Sequence, residues 1–291
     1  MGLQLIIGGS GTGKTEKLYR FLIKKSEEGY RKGERFLAIV PEQFTMETQK
    51  TIVELSETKG TMAIDILSFQ RLAKRIFEEA GLSTLQVLDD TGKCLILRKI
   101  IEENKESFTV FGSKAKMAGF IEEMKSMVSE LFQYGISEDK FDEMLKHAEP
   151  RPLLHAKLED IKLIVRKLKD YLKDKFIMNE ELLHRVCELI PYSNIIKGSF
   201  ITLDEYTGFS PVQYDVIRML LKYAASVSIT VTVRDADKID YSEENNPDVF
   251  GLSIKTIKKL KQIAREEQVE IYSDIILTEM HRASKGGAIS Y

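Results

Sequence analysis

Gly8-Gly9-Ser10-Gly11-Thr12-Gly13-Lys14-Thr15 stands close to the start of the chain. It matches G-x-x-x-x-G-K-T in full. Leu3, Leu5, Ile6 and Ile7 before it form an apolar run that reads as a buried strand, and Leu18, Phe21 and Leu22 after it recur at helical spacing. The context is strand, loop, helix. Glycines let the backbone curl until successive N–H groups point inward, and a helix beginning near Lys14 aims its partial positive end at the same spot. Gly8, Gly9, Ser10, Gly11, Thr12, Gly13, Lys14 and Thr15 are therefore expected to cradle the phosphates of ATP. Lys14 would reach the β- and γ-phosphates, and Thr15 would ligate the bridging magnesium ion. The plain alternative is a glycine-rich turn followed by an accidental Lys-Thr.

Size and composition narrow the classes around that loop. The 291 residues suffice for two compact domains, and charged residues are near balance with a formal net charge of −2. Overall charge thus gives no sign of nucleic acid, and any such contact must come from a local patch. Cys94 and Cys187 lie far apart without a C-x-x-C pair, so neither a disulfide framework nor a zinc or iron–sulfur site is encoded. No apolar run reaches the length of a membrane span, and the chain enters a core strand with no signal sequence. A cytoplasmic protein with no membrane partner is expected.

Downstream of the loop, Phe36 to Val40 reads as a second strand, stopped by Pro41. Pro41-Glu42-Gln43-Phe44 leaves its end, ahead of a helix from about Thr45 to Glu57. Thr61 to Leu67 reads as a third strand, Ser68 as an N-cap, Phe69 to Ala80 as a helix and Gly81 as its stop. Three strand–helix units in succession predict a parallel α/β half-domain over residues 1–84. Ligands in such sheets bind at the carboxyl ends of the strands.

The rhythm then changes. Residues 85–196 read as a helical insertion without strands, broken near Gly112, Gly135, Pro150 to Pro152 and Asn179. Met117, Phe120, Met124, Met127 and Leu131 fall on one helical face, and Leu154, Leu158, Ile161, Val165, Leu168 and Leu172 step like a coiled-coil seam. Both stripes read as core. Between Lys157 and Lys175, Lys and Arg outnumber Asp and Glu outside the seam, a face that a DNA backbone could follow; a solvated helix surface is the commoner meaning of such a run.

Strand character resumes at Ser199 to Leu203 and ends in Asp204-Glu205. Opposite a phosphate loop, Asp204 would hold the magnesium through water, and Glu205 would polarise the attacking water. Lys14, Asp204 and Glu205 are thus the candidate catalytic residues, with Thr15 and Asp204 as candidate metal ligands. Ser210-Pro211-Val212-Gln213 has the form of a capping box, which makes Gln213 a capping residue as readily as a nucleotide sensor. Ser226 to Val233 reads as another strand and Arg234 to Pro247 as a polar loop. Phe250 to Glu267 reads as a helix with Leu252, Ile257, Leu260, Ile263 and Ala264 inward, and Val269 to Leu277 as a last strand. Residues 197–291 would complete the α/β domain, and the taper at Ser284-Lys285-Gly286-Gly287 suggests a chain cut near a domain boundary.

Taken together, these pieces resemble the first motor domain of superfamily-one helicases of the UvrD and RecB type, and within them the AddB family, the B subunits of bacterial AddAB ATP-dependent helicase–nucleases. The resemblance rests on Gly8 to Thr15, on Val40-Pro41-Glu42-Gln43, on Ser68-Phe69-x-Arg71-Leu72-Ala73, and on Asp204 with Phe209, Pro211 and Gln213. It implies a P-loop NTPase fold of RecA type with an all-helical inserted subdomain, ATP and magnesium as cofactors, and an AddA-type subunit and DNA as partners. It also implies a role in processing double-strand DNA ends for recombinational repair. In that family the nuclease and iron–sulfur cluster lie near the far C-terminus, outside this sequence. Two departures matter. Asp204-Glu205 is retained where many members have lost it, and Val233 is not followed by the Gly-Asp-x-x-Gln that couples nucleotide to DNA in active motors. Nor is there room before Leu3 for the upstream glutamine motif. Nucleotide binding with little turnover is the expectation. The alternatives are a P-loop kinase of a small molecule, for which the helical block is an awkward lid, and a non-catalytic scaffold with a relic loop that grips DNA or a partner.

Overall fold

The computed structural model describes residues 1–29, 32–57, 63–82, 86–112, 114, 117, 119–173, 175–233 and 251–279. The polar loop expected from Arg234 to Pro247 and the taper at Ser284 to Gly287 lie outside them. The chain divides into two compact units, one of residues 1–80 and 186–291, the other of residues 81–185.

The first unit is a parallel α/β sheet. In chain order it holds β1 (Gly2–Gly8), α1 (Lys14–Gly29), β2 (Phe36–Ile39), α2 (Thr45–Leu55), β3 (Ile64–Leu67) and α3 (Phe69–Glu79). The other unit then intervenes. It carries β4 (Gln86–Leu88), α4 (Asp90–Glu103), α5 (Phe120–Gln133), α6 (Glu138–Ala148), α7 (Pro152–Leu172) and β5 (Phe176–Met178). Helix α8 (Asn179–Leu189) carries the chain onward to β6 (Phe200–Leu203), α9 (Pro211–Tyr223), β7 (Ser226–Thr232), α10 (Gly251–Glu266), β8 (Glu270–Ile271) and β9 (Ile275–Leu277).

Strand order in the large sheet is β3-β2-β6-β7-β1-β8, with β9 also paired to β1. The strands are parallel, in registers such as Gly8↔Thr232, Ile39↔Leu203 and Leu203↔Ile229. Sequence neighbours β1 and β2 are thus not sheet neighbours. Strands β6 and β7, which follow the intervening unit in sequence, lie between them, so residues as distant in sequence as Thr15 and Glu205 end at the same ends of the sheet strands. All four residues of β2 are buried, as a parallel strand covered on both faces requires. On one face Leu18, Tyr19 and Leu22 of α1 and Ile52 of α2 pack against Ile6, Phe36, Ala38 and Ile64. Phe36 and Phe200 stack across β2 and β6 with centroids 5.4 Å apart.

Helix starts follow local chemistry. Ser68 accepts from the Arg71 N–H at the start of α3, and Ser210 forms the full capping box with Gln213 at the start of α9. Gln213 is therefore used as a cap. At Val269 to Leu277 two short strands replace the single one expected, because both add to the far edge of β1 with Tyr272 to Asp274 between them. Leu252, expected inward on α10, is exposed, whereas Ile257, Leu260, Ile263 and Ala264 are buried.

The second unit corrects the expectation of an insertion without strands. Gln86 to Leu88 and Phe176 to Met178 pair in parallel as a two-stranded sheet. Strands of three residues are too short to show a period of two. The α5 stripe is also rotated from its expected phase: Phe120, Ile121, Met124, Val128 and Phe132 are buried, while Met117 and Met127 are exposed. On α7 the buried line runs Ile161, Ile164, Val165, Leu168, Leu172; Leu154 is exposed and Leu158 only partly covered. Bracketing helices choose the face, and periodicity leaves that choice open when apolar residues occupy more than one stripe.

Asp160 is the unexpected member of this core. Only 2 % exposed, its carboxylate accepts from the backbone N–H groups of Thr109 (2.9 Å), Val110 (2.7 Å) and Phe111 (2.9 Å). Those donors belong to an irregular segment between α4 and α5; Phe111 is buried and Val110 half-buried, so leaving their N–H groups without an acceptor is costly, whereas Thr109 lies nearer solvent.

Candidate functional site

The phosphate-type loop lies at the carboxyl end of β1 and opens directly into α1. Gly11 (φ 80°) and Gly13 (φ 83°) adopt the left-handed backbone that L side chains avoid. Gly8 is packed so closely that a Cβ would sit 2.5 Å from Thr12 Oγ1 and 2.7 Å from the Leu277 carbonyl oxygen. Thr12 Oγ1 donates to the Gly9 carbonyl (2.9 Å), and Lys14 Nζ donates to the same oxygen (2.6 Å). These two bonds hold the loop curled. Among the described residues, no hydrogen bond engages the N–H groups of Ser10, Gly11, Thr12 or Gly13. Unpaired donors at a helix N-terminus are what an anion requires.

The acidic tip of β6 comes back to this loop. Strand β7 is the sole strand between β6 and β1, and Thr15 Oγ1 donates to Glu205 Oε1 at 3.5 Å. Glu205 adopts φ 63°, a left-handed conformation rare for a residue with a side chain and often found where structure serves function. Burial, together with the negative charges of Asp204 and Glu47, pushes its carboxyl above the ordinary range; Lys14 and the Thr15 hydroxyl pull partly back.

Asp204 is 3 % exposed. Its Oδ1 accepts from Thr230 Oγ1 of β7, and its buried Oδ2 has no hydrogen-bond partner among the described residues. Tyr19, one turn beyond Thr15 on α1, is fully buried with its hydroxyl 3.4 Å from Thr48 Oγ1 of α2. Burial, first, and then the neighbouring Asp204 charge raise its phenol far above the usual range, so it stays protonated. An orphaned, buried carboxylate oxygen beside a threonine hydroxyl and a second carboxylate is a hard oxygen donor set of the kind magnesium prefers. The residues present fit the cation, and the loop fits the phosphates it would bridge. Among the described residues no group of three His, Cys, Asp or Glu could hold a metal unaided, so two carboxylates would act together with phosphate oxygens and water.

All of the sequence-predicted residues, Gly8 to Thr15 with Asp204 and Glu205, therefore meet at the same ends of the sheet strands. Thr15 meets Glu205 directly, while Asp204 lies deeper, against Thr230. Glu47, Thr48, Tyr19 and Thr230 join them without belonging to any motif. Only Tyr19 carries a signal in the sequence, its i+4 spacing from Thr15.

Glu42 and the Ser68 segment are joined at the neighbouring strand ends. Glu42 accepts from Ser68 Oγ, from Arg71 Nε (2.9 Å) and from a terminal Arg71 nitrogen (2.7 Å). The Ser68 hydroxyl, first, and the Arg71 guanidinium hold its carboxyl below the usual range. The Tyr206 ring packs at a tilt against both Phe69 (centroids 5.5 Å apart) and Phe209 (5.0 Å).

The raised Glu205 carboxyl gives a signed prediction. The folded state holds this proton more tightly than the unfolded chain, so the group's contribution to stability is full below the ordinary carboxylate range and is lost as pH rises through the raised value. Glu205→Gln should melt higher than the parent at about pH 7, and the difference should vanish near about pH 4. Equal melting temperatures across that range would show that the carboxylate experiences no net burial or repulsion.

The family model described as "ADDB, N-terminal" matches residues 5–290. The B subunit of an ATP-dependent helicase/deoxyribonuclease from Lachnoclostridium phytofermentans is 43% identical over 291 residues, all of this chain and 25% of the relative. Proteins of the same name from Bacillus cereus (strain AH187) and Bacillus anthracis are each 31% identical over 288 residues, 97% of this chain and 24% of theirs. The chain spans about a quarter of the length of these relatives.

Proposed function

The chain belongs to the AddB N-terminal family, and on that premise we propose that it forms the ATP-binding N-terminal region of the B subunit of an ATP-dependent helicase–deoxyribonuclease. The whole assembly would pair it with an AddA-type subunit and process double-strand DNA ends for recombinational repair. One observation supports the nucleotide-binding part above others: the acidic tip of β6 lies at the Thr15 hydroxyl, with a buried Asp204 oxygen left for a water-bridged cation.

In this reading the loop N–H groups and the N-terminus of α1 bind the β- and γ-phosphates, and Lys14 exchanges the Gly9 carbonyl for a phosphate oxygen. Thr15 and Asp204 hold magnesium, which when bound neutralises charge on the phosphates. Thr230 fixes one Asp204 oxygen and so aims the other. Glu205, with its raised carboxyl on a left-handed backbone, stands where a water could be polarised. Little turnover is expected, because the sequence after Val233 lacks the Gly-Asp-x-x-Gln that couples nucleotide to DNA. The parallel α/β unit is consistent with a P-loop NTPase of RecA type.

Titration calorimetry with ATP tests the proposal. Binding should require magnesium and should weaken when magnesium is chelated. Absence of heat with ATP at millimolar concentration, or an affinity indifferent to magnesium, would leave a relic loop on a scaffold. Phosphorylated small-molecule product in the same mixture would instead favour the kinase alternative.

A further inference from the structure

Resting on the proposed role in a DNA-processing assembly, we propose that the solvent face of α7 is a docking surface for the phosphate backbone of duplex DNA. The structure supplies the phase that the sequence lacked. With Ile161, Ile164, Val165, Leu168 and Leu172 in the core, Lys162, Arg166 and Lys169 on α7 and Lys173 at its C-cap fall on one flank, roughly 80–140° round from the core line, in steps of four, three and four. That spacing keeps side chains on one line along a helix. The line runs over roughly 16 Å, a length of duplex bearing roughly ten phosphate charges on its two strands.

Among the described residues, an ion pair reaches only the first cation of this line. Asp160 points inward and is consumed by the N–H groups of Thr109, Val110 and Phe111. Glu159 pairs with His155 at 3.6 Å, one turn before the stripe begins. Asp142 of α6 pairs with Lys162, the first cation of the line. Asp170 flanks Lys169. Arg166, Lys169 and Lys173 are exposed, and none of them forms an ion pair with another described residue. Lys169 Nζ sits 5.6 Å from the centroid of the Phe132 ring, a cation–π contact with no opposing charge. Three such cations in line are a surface that gains by releasing counterions from DNA.

The test uses the full-length subunit assembled with its partner subunit and a blunt-ended duplex, titrated from about 50 to about 200 mM salt. Each phosphate contact contributes about 0.9 to the slope of log affinity against log salt. Combined substitution Arg166→Ala, Lys169→Ala, Lys173→Ala should make the slope shallower by about 2–3 while ATP affinity is unchanged. Because Lys169 packs on Phe132, a second variant, Arg166→Ala with Lys173→Ala, leaves that contact intact and should lose about 2. An unchanged slope in both variants overturns the proposal and makes the stripe a solvated face. Loss of the partner subunit with an unchanged slope overturns it in favour of a protein contact. Failure of the unsubstituted assembly to bind duplex at any salt removes the DNA-processing reading itself, whereas salt-dependent binding with unaltered slopes removes this surface alone.

Discussion

Lys14→Ala should lower the affinity for magnesium–ATP by at least about 100-fold, a loss of about 3 kcal/mol. The lysine is 8 % exposed, and its ammonium lies 2.6 Å from the Gly9 carbonyl, inside the curl of the loop. Bonds from an ammonium to a phosphate are charge-assisted, and in so enclosed a position they are little screened by water. Alanine would remove both the proposed phosphate contact and the strut that holds the loop curled. The two effects separate by measurement: calorimetry reports affinity, and thermal melting without nucleotide reports the strut, for which about 1 kcal/mol is expected. Thr12→Ala should reproduce the second effect without most of the first. Parent and Lys14→Ala proteins binding ATP equally would mean that the loop holds no phosphate, whatever its shape.

Asp160→Ala should destabilise the unit of residues 81–185 by about 3–5 kcal/mol, as much as emptying a core position. Three N–H groups depend on this one buried carboxylate, with Oδ1 serving Thr109 and Oδ2 serving Val110 and Phe111. Alanine leaves all three donors without an acceptor among the described residues. Asparagine is no rescue, because its amide NH2 must face a donor in either orientation. Amide hydrogen exchange at Thr109, Val110 and Phe111 should accelerate in step with the loss in chemical denaturation. Glu159→Ala, on the exposed side of the same helix, should stay within about 0.5 kcal/mol of the parent. Similar losses for the two substitutions would show that the segment between α4 and α5 is held by apolar packing instead.

These two residues differ in how far the sequence reveals them. Lys14 is legible because the phosphate loop is local: glycines, lysine and threonine act within one turn, flanked by a strand and helix whose periods are plain. The same holds for Ser68 and Ser210, whose capping partners lie three residues on. Asp160 reads as one more charge on a helix. Its role depends on backbone donors some fifty positions upstream, and no spacing rule connects the two. The phases of α5 and α7 are ambiguous in the sequence for a related reason, since both helices carry apolar residues beyond one stripe and neighbouring helices decide which ones are covered.

Local chemistry is written in the residues: a phosphate-type loop between strand and helix, an acidic strand end, two capping serines, and membership of a family recognisable from motifs spread along the chain. Tertiary structure alone decided that β6 and β7 enter between β2 and β1, that Glu205 meets Thr15 while Thr230 holds Asp204, and that Asp160 turns inward and leaves a line of cations on α7. The physical reason is range. Backbone conformation and capping are set by neighbours a few residues apart, but sheet order and the burial of a carboxylate are set by which distant surfaces can cover one another and satisfy every donor they bury.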